Sequence, residues 1–119
     1  SWGDLANPSL GNFQASRLGK TAQVGSYKSN PWGFFDMHGN VSEWCYDRSG
    51  PYPSTSLLDP TGLSEDEPME AGHLAFLRRR RGGAWDEIEM TGTSSRRSGN
   101  YQFYSSSNIG FRLCLAPAR

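Results

Sequence analysis

Asn30-Pro31-Trp32-Gly33-Phe34-Phe35-Asp36-Met37-His38-Gly39-Asn40-Val41-Ser42-Glu43-Trp44-Cys45 is the stretch on which the fold turns. Pro31, Gly33 and Gly39 break any helical period, and the apolar-polar alternation from about Asn40 to Tyr46 reads as a strand leaving a glycine turn. Two carboxylates, Asp36 and Glu43, flank that turn. Ca²⁺ takes six to eight oxygen ligands and mixes carboxylates with backbone carbonyls and water. Asp36 and Glu43 can supply the charge, and a bend at Gly39 can aim carbonyls inward. The same pattern is open to a plainer reading, in which the two acids cap turns or pair with arginines.

Outward from this stretch the composition stays loop-rich. The chain has 119 residues, one domain's worth, with 14 Gly, 7 Pro and 16 Ser but only 35% hydrophobic residues. Fifteen aromatics, four of them Trp, are the wrong composition for disorder. Ordering each loop residue costs ~1–2 kcal/mol of backbone entropy, so an irregular chain needs something besides apolar burial. Large aromatic anchors, a metal, a disulfide or a second chain are the candidates. No apolar run approaches the ~20 residues of a membrane span; the reading expects neither membrane insertion nor a leader within these residues.

Charge sums to zero but divides unevenly, net −5 over residues 1–77 and +5 over 78–119. The run Arg78-Arg79-Arg80-Arg81 invites a nucleic-acid reading. Leu77 before it and Gly82-Gly83-Ala84-Trp85 after it make a strand the better one, its arginines paired with the acidic first half, and no nucleic-acid partner is expected. Further strands are read over about Leu74–Arg81 and Ile109–Leu115. In the last, Phe111, Leu113 and Leu115 point one way while Arg112 and Cys114 point the other. Trp32, Trp44 and Phe111 are expected in the core. Residues 49–72 and 86–108 read as long connections, which tend to carry function.

Cys45 and Cys114 either close one long loop as a disulfide or remain two buried thiols. No CxxC and no Cys/His cluster exists, which argues against zinc. His38 sits in the glycine turn without a second His or Cys nearby and reads as a locally hydrogen-bonded turn residue. Asn40-Val41-Ser42 matches a glycosylation sequon in form, but its place inside the turn argues against an exposed acceptor.

Five blocks in order carry a resemblance: the opening stretch, then Asp59-Pro60-Thr61-Gly62, Arg81-Gly82-Gly83-Ala84-Trp85, Arg97-Ser98, and Asn108-Ile109-Gly110-Phe111-Arg112-Leu113. Together they resemble the formylglycine-generating enzyme family, also called the sulfatase-modifying-factor family. The resemblance starts at Trp2-Gly3-Asp4 and covers nearly the whole chain, which corresponds to the C-terminal portion of a family domain. It implies an α+β, C-type-lectin-like fold of low regular secondary structure, with short antiparallel strands and long loops, over residues 1–119 as a single domain. A second chain supplying the preceding part of the domain is one partner it suggests.

The resemblance also implies a structural Ca²⁺ site at Asp36 and Glu43 through side chains and at Gly39 and Val41 through carbonyls. A further family calcium site has an Asp where Ser16 stands, beside Asn7 and Leu18, and so loses a carboxylate. Family enzymes bind copper through a cysteine pair just after the Arg-Gly-Gly block. Soft thiolates suit Cu(I), but Trp85-Asp86-Glu87-Ile88-Glu89-Met90-Thr91-Gly92 has none. No copper and no formylglycine chemistry are expected. An iron-dependent sulfoxide-synthase branch of the superfamily uses histidines of a separate helical domain, for which this chain offers no ligand cluster. An oxidoreductase of the same family present as a fragment is the alternative.

What remains at the family's active-site region is a polar and aromatic surface: Trp85, Asp86, Glu87, Arg97, Asn100, Tyr101, Phe103, Tyr104 and Ser105. Tyr and Phe interspersed with Ser and Asn give large contact area at small entropic cost, as antibody loops do. The stretch also resembles the variable region of proteins diversified by retroelements on this same fold. The expected function is a non-catalytic, calcium-stabilised domain binding a protein or small-molecule ligand. The alternative for Tyr101, Phe103 and Tyr104 is packing beneath the loop as a satellite core. A disulfide and a calcium site both suit an extracellular or cell-envelope setting.

Overall fold

In the computed structural model, residues 8–52, 54–58 and 77–115 are described. Their regular structure is a four-stranded sheet, β1 (Ser42–Arg48), β2 (Leu77–Arg81), β3 (Ser98–Tyr101) and β4 (Ile109–Gly110), with three 3-10 turns and no α-helix among them. The strand order is β3-β2-β1-β4. β1 and β2 are antiparallel, with Glu43 opposite Arg81 and Trp44 opposite Arg80, and a bulge lies between Trp44 and Arg48. β2 and β3 are antiparallel from Leu77–Tyr101 to Arg80–Ser98. β4 runs parallel to β1, pairing Ser42 with Ile109 and Glu43 with Gly110. The sheet is therefore mixed, not purely antiparallel. The α+β, C-type-lectin-like architecture of little regular structure is as the sequence implies.

Among the described residues the core is small and largely polar. Phe13 and Ala84 are the buried hydrophobic residues among those described, alongside Asn12, Asn30, Asn40, Ser42 and Ser49. These polar groups are bonded, as burial demands. Asn40 Oδ1 accepts from the Ala22 N–H at 2.8 Å and from Asn12 Nδ2 at 3.3 Å, and Asn40 Nδ2 donates to the Ala22 carbonyl. Asn12 Nδ2 also donates to the Lys20 carbonyl, and the Asn12 carbonyl accepts the Asn40 N–H at 2.7 Å. Side-chain amides here replace the ladder hydrogen bonds that a loop-built interior lacks.

Two aromatics expected in the core are on the surface. Trp32 and Phe111 are 75% and 74% exposed, whereas Trp44 is half-buried. The strand expected over Ile109–Leu115 stops at Gly110, and Leu113 and Leu115 are exposed. Alternation sorts side chains to two faces but does not say what covers either. β4 is an edge strand two residues long, and residues 111–115 that follow it are all exposed. Of the strand read as Leu74–Arg81, residues 77–81 are observed and 74–76 lie outside the described residues, as does most of the 49–72 connection.

Candidate functional site

Asp36, Gly39, Val41 and Glu43 line one cleft of about 440 Å³, together with Val24, Phe35, Phe111 and Arg112. The local backbone explains why. Asn30 Oδ1 accepts the N–H groups of Trp32 and Phe34, both at 3.0 Å, and folds the approach into a tight turn. Asp36, Gly39 and Asn40 then adopt left-handed φ of 53°, 78° and 66°, which turns the chain sharply before β1 begins. Gly39 is pinned there by its N–H to the Gly82 carbonyl at 2.7 Å, and the Trp85 N–H donates to the Asn40 carbonyl.

The carboxylate and carbonyl oxygens among these residues are of the kind a hard cation takes, but the acids already have partners and the cleft also holds the Arg112 guanidinium and apolar side chains. Asp36 Oδ2 accepts the Gly25 N–H at 2.6 Å. Both Glu43 oxygens accept from Arg112, Oε2 from Nε at 2.8 Å and Oε1 from Nη2 at 2.7 Å. Arg112 Nη1 and Nη2 donate further to the Phe35 and Asp36 carbonyls, each at 3.1 Å. The hydrogen bond to Glu43 pushes the Arg112 guanidinium further toward its charged form. One positive charge thus stands where calcium would bring two more. At the family's further calcium position, Ser16 Oγ donates to Asn12 Oδ1 at 2.6 Å; Asn7 lies outside the described residues.

The residues expected to form a ligand face fall into separate groups. Trp85 and Asp86 meet the far end of the 86–108 stretch: Trp85 Nε1 donates to the Ser107 carbonyl at 3.4 Å, and Asn108 Nδ2 contacts both Asp86 oxygens at 3.0 Å. Glu87 lines a small cavity with Arg80, Arg81, Thr91 and Arg96. Arg97 stacks on Tyr52, its guanidinium 3.6 Å from the ring centroid. Asn100 lies within β3, one residue before its end at Tyr101, and Ser105 follows the turn closed by the Tyr104 N–H to the Tyr101 carbonyl. In that turn Tyr101, Phe103 and Tyr104 are 50%, 90% and 48% exposed. They point to solvent rather than forming a satellite core.

The arginine run forms a strand, as expected, but the partners of three of its members are neutral oxygens, not carboxylates. Arg79 donates to the Gly50 carbonyl, Arg80 to Ser42 Oγ and Arg81 to the Ser94 carbonyl, each at 2.8 Å. Cys45 and Cys114 are free thiols, and Cys114 is exposed rather than buried. Burial pushes the Cys45 thiol up, against the nearby Arg81 charge, so the thiolate that metal or redox chemistry requires is disfavoured there. No group of three or more His, Cys, Asp or Glu converges among the described residues, and the stretch after the Arg-Gly-Gly block holds no cysteine thiolate. His38 Nδ1 is buried without a partner, and the backbone group that favours the charged imidazole is that of Gly92, across the fold rather than within its own turn.

Three features escaped the sequence reading. Arg112 read from the sequence as a structural residue in an ion pair with the acidic half, which the structure bears out; what escaped was which acid it takes, since Glu43 was assignable to a cation or to an arginine. Asn12 has no local motif that marks it as an organiser. Tyr52 sits in a Pro-rich stretch with nothing to announce its stacking on Arg97.

With this geometry in hand, the comparisons with known proteins agree. The model of the sulfatase-modifying factor enzyme 1-like domain matches residues 2–117, and the chain belongs to that family. It is 32% identical over 110 residues to the serine/threonine-protein kinase pkn1 of Chlamydia caviae, covering 92% of this chain and 16% of that protein. It is 35% identical over 97 residues to the formylglycine-generating enzyme of Streptomyces coelicolor, covering 77% and 28%. The solved structure of PvdO from Pseudomonas aeruginosa superposes with a TM-score of 0.74 at 25% identity, over 91% of this chain and 40% of that one. The chain therefore spans about a sixth of the length of the Chlamydia relative and under a third of the Streptomyces enzyme.

Proposed function

We propose that this domain is a non-catalytic binding module of the formylglycine-generating-enzyme superfamily. The observation that carries the reading is the turn after β3, where Tyr101, Phe103 and Tyr104 stand exposed together among Ser and Asn. Aromatic side chains in water on one short turn are poor for stability and good for contact. The absence of cysteine between Trp85 and Gly92 and the raised Cys45 thiol support the same reading against copper chemistry. The ligand is a protein or small molecule. Trp85, Asp86 and Asn108 border the same connection and offer polar contacts.

A structural Ca²⁺ held by Asp36, Glu43 and the Gly39 and Val41 carbonyls belongs to this proposal, and it suits an extracellular or cell-envelope setting. When bound, the ion would neutralise the acids of the cleft. Calorimetric titration with CaCl₂ tests it: saturable binding lost in Asp36→Ala supports the site, and the absence of heat removes it.

Panning a displayed peptide library against the chain and against a Tyr101→Ser/Phe103→Ser/Tyr104→Ser variant tests the module itself. Peptides selected by the parent and ignored by the variant support the reading. An oxidoreductase is the second reading, favoured by the similarity to the Streptomyces coelicolor enzyme. Stoichiometric Cu(I) binding, with conversion of a cysteine in a sulfatase-motif peptide, would establish it and sink the first.

A further inference from the structure

Among the described residues, three guanidinium groups gather around Tyr52 without a counter-ion. Arg79 and Arg81 alternate on β2 and so share one face of the sheet. Arg97 precedes Ser98, whose ladder partner is Arg80, and lies flat on the Tyr52 ring at 3.6 Å. Arg81 Nη2 reaches the Tyr52 hydroxyl at 3.4 Å. Gly99 faces Arg79 across the ladder, so no side chain separates Arg79 from β3 at that point. Burial pushes the Arg79 guanidinium away from its charged form, and the charges of Arg97 and Arg81 push the same way.

The acid directly across the ladder from Arg81 is committed elsewhere, and Glu87, which lines a small cavity beside Arg81, makes no ion pair with it among the described residues. Glu43 is the ladder partner of Arg81, yet both its oxygens are held by Arg112. The ion pair found among the described residues is Arg112–Glu43, and none involves Arg79, Arg81 or Arg97. Donors are also left over. Arg79 Nε is buried without a partner, and the contact described for Arg97 is its stacking on Tyr52, with no hydrogen bond from its N–H fork to another described residue.

Planar guanidinium forks match the oxygens of a tetrahedral oxyanion in pairs, and a charge-assisted bond to an anion is about twice as strong as a neutral one. We propose that Arg79, Arg81 and Arg97, framed by Tyr52, form a binding site for a tetrahedral oxyanion, carried free or as a phosphate or sulfate ester. The anion would take the unused N–H groups and relieve the repulsion among the three cations. The site uses none of Tyr101, Phe103 and Tyr104, so it stands or falls apart from the binding reading above.

Calorimetric titration of the full chain at constant ionic strength tests it, with sodium phosphate, sodium sulfate, phenyl phosphate and phenyl sulfate as four separate probes. Saturable one-to-one binding of any of them is expected. It should weaken roughly tenfold or more in Arg79→Gln and in Arg97→Gln, the loss of one charged hydrogen-bonding partner, and stay unchanged in Lys20→Gln. A preference for the phenyl esters over the free anions identifies an ester as the natural source. Arg97→Gln keeps the test open if Arg79→Gln unfolds, since Arg97 contributes stacking rather than a backbone bond. Absence of saturable binding by all four probes, or affinity undiminished in the folded arginine variants, overturns the proposal.

Discussion

Arg112 and Glu43 meet fork to fork, Nε to Oε2 at 2.8 Å and Nη2 to Oε1 at 2.7 Å, and so fasten the chain just past β4 to β1. The parallel β1–β4 ladder spans two residue pairs, too few to hold an edge strand by backbone bonds alone. Arg112 adds two bonds to the carbonyls of Phe35 and Asp36 and so joins three segments. The Arg112 and Glu43 side chains are 35% and 23% exposed, which discounts the charge contribution through solvent screening. Arg112→Ala is expected to cost about 2 kcal/mol, summed over bonds to a charged group and to backbone. Arg112→Lys should recover less than half, because an ammonium cannot bond bidentately. Urea unfolding midpoints measure both; an unshifted midpoint in Arg112→Ala would show that the pair contributes nothing. Because Glu43 raises the Arg112 pKa, this contribution is complete below the ordinary arginine range and is lost only in strong alkali.

Acid should weaken the fold through His38. Burial lowers its pKa below the ordinary 6.5, against an opposing bond with Gly92. The unfolded chain then binds the proton more readily than the folded one, so stability is complete above 6.5 and falls as pH drops below it. Between about pH 6.5 and 5, above the range where carboxylates titrate, the unfolding free energy should decline in the parent chain and stay level in His38→Gln. Parallel slopes in the two proteins would assign the decline to other groups.

Much of the architecture was legible because glycine, proline and aromatic residues recur in five ordered blocks, and because Ser42–Tyr46 and Leu77–Arg81 carry strand patterns of their own. The turn at Asp36–Asn40 was legible for the same reason: Gly39 marks a sharp bend. The fates of Phe111, Leu113 and Trp32 were not, since an apolar residue on an alternating pattern says which face it takes and nothing of what packs there. Likewise a carboxylate such as Glu43 does not declare whether a metal or a guanidinium answers it. That depends on Arg112, 69 residues away, and long-range pairing of charges leaves no periodic trace.

Asn40 is the residue whose loss should be felt most widely for its size. Its side chain bonds Ala22 at both N–H and carbonyl and receives Asn12 Nδ2, while its backbone holds φ of 66°, which Asn tolerates better than most residues. Asn40→Ala strands the Ala22 N–H and adds backbone strain, for an expected loss of about 2–4 kcal/mol. Asn40→Asp keeps the acceptor and loses the donor, so it should lie between. Thermal melts rank the three, and an Asn40→Ala melt equal to the parent's would refute the account. The same burial implies that Asn40, in spite of its sequon, carries no glycan when the chain is secreted from a glycosylating host.

Phe103 should be dispensable to the fold. At 90% exposure it has little area to lose, and Phe103→Ser is expected to change stability by no more than about 0.5 kcal/mol. A cost beyond about 1.5 kcal/mol, in the range of a buried aromatic's contribution, would mean the side chain packs and would undercut the binding reading built on this turn.

Gly39 is the opposite case. A Cβ there would stand 2.6 Å from the Asn12 carbonyl oxygen and 3.0 Å from its nitrogen, both backbone atoms that cannot rotate aside, and the φ of 78° is one a side chain resists. Gly39→Ala must therefore either push the Asn12 segment off the turn or unbend the turn itself. Either route breaks the Asn40 N–H bond to Asn12 and the Gly39 N–H bond to Gly82. A loss above about 3 kcal/mol is expected. Gly33→Ala serves as the matched control: its φ of 82° is equally left-handed, but its Cβ would meet open space, so it should cost only the conformational strain, ~1–2 kcal/mol. Equal losses in the two variants would show that strain alone governs both turns and that the close approach to Asn12 is immaterial.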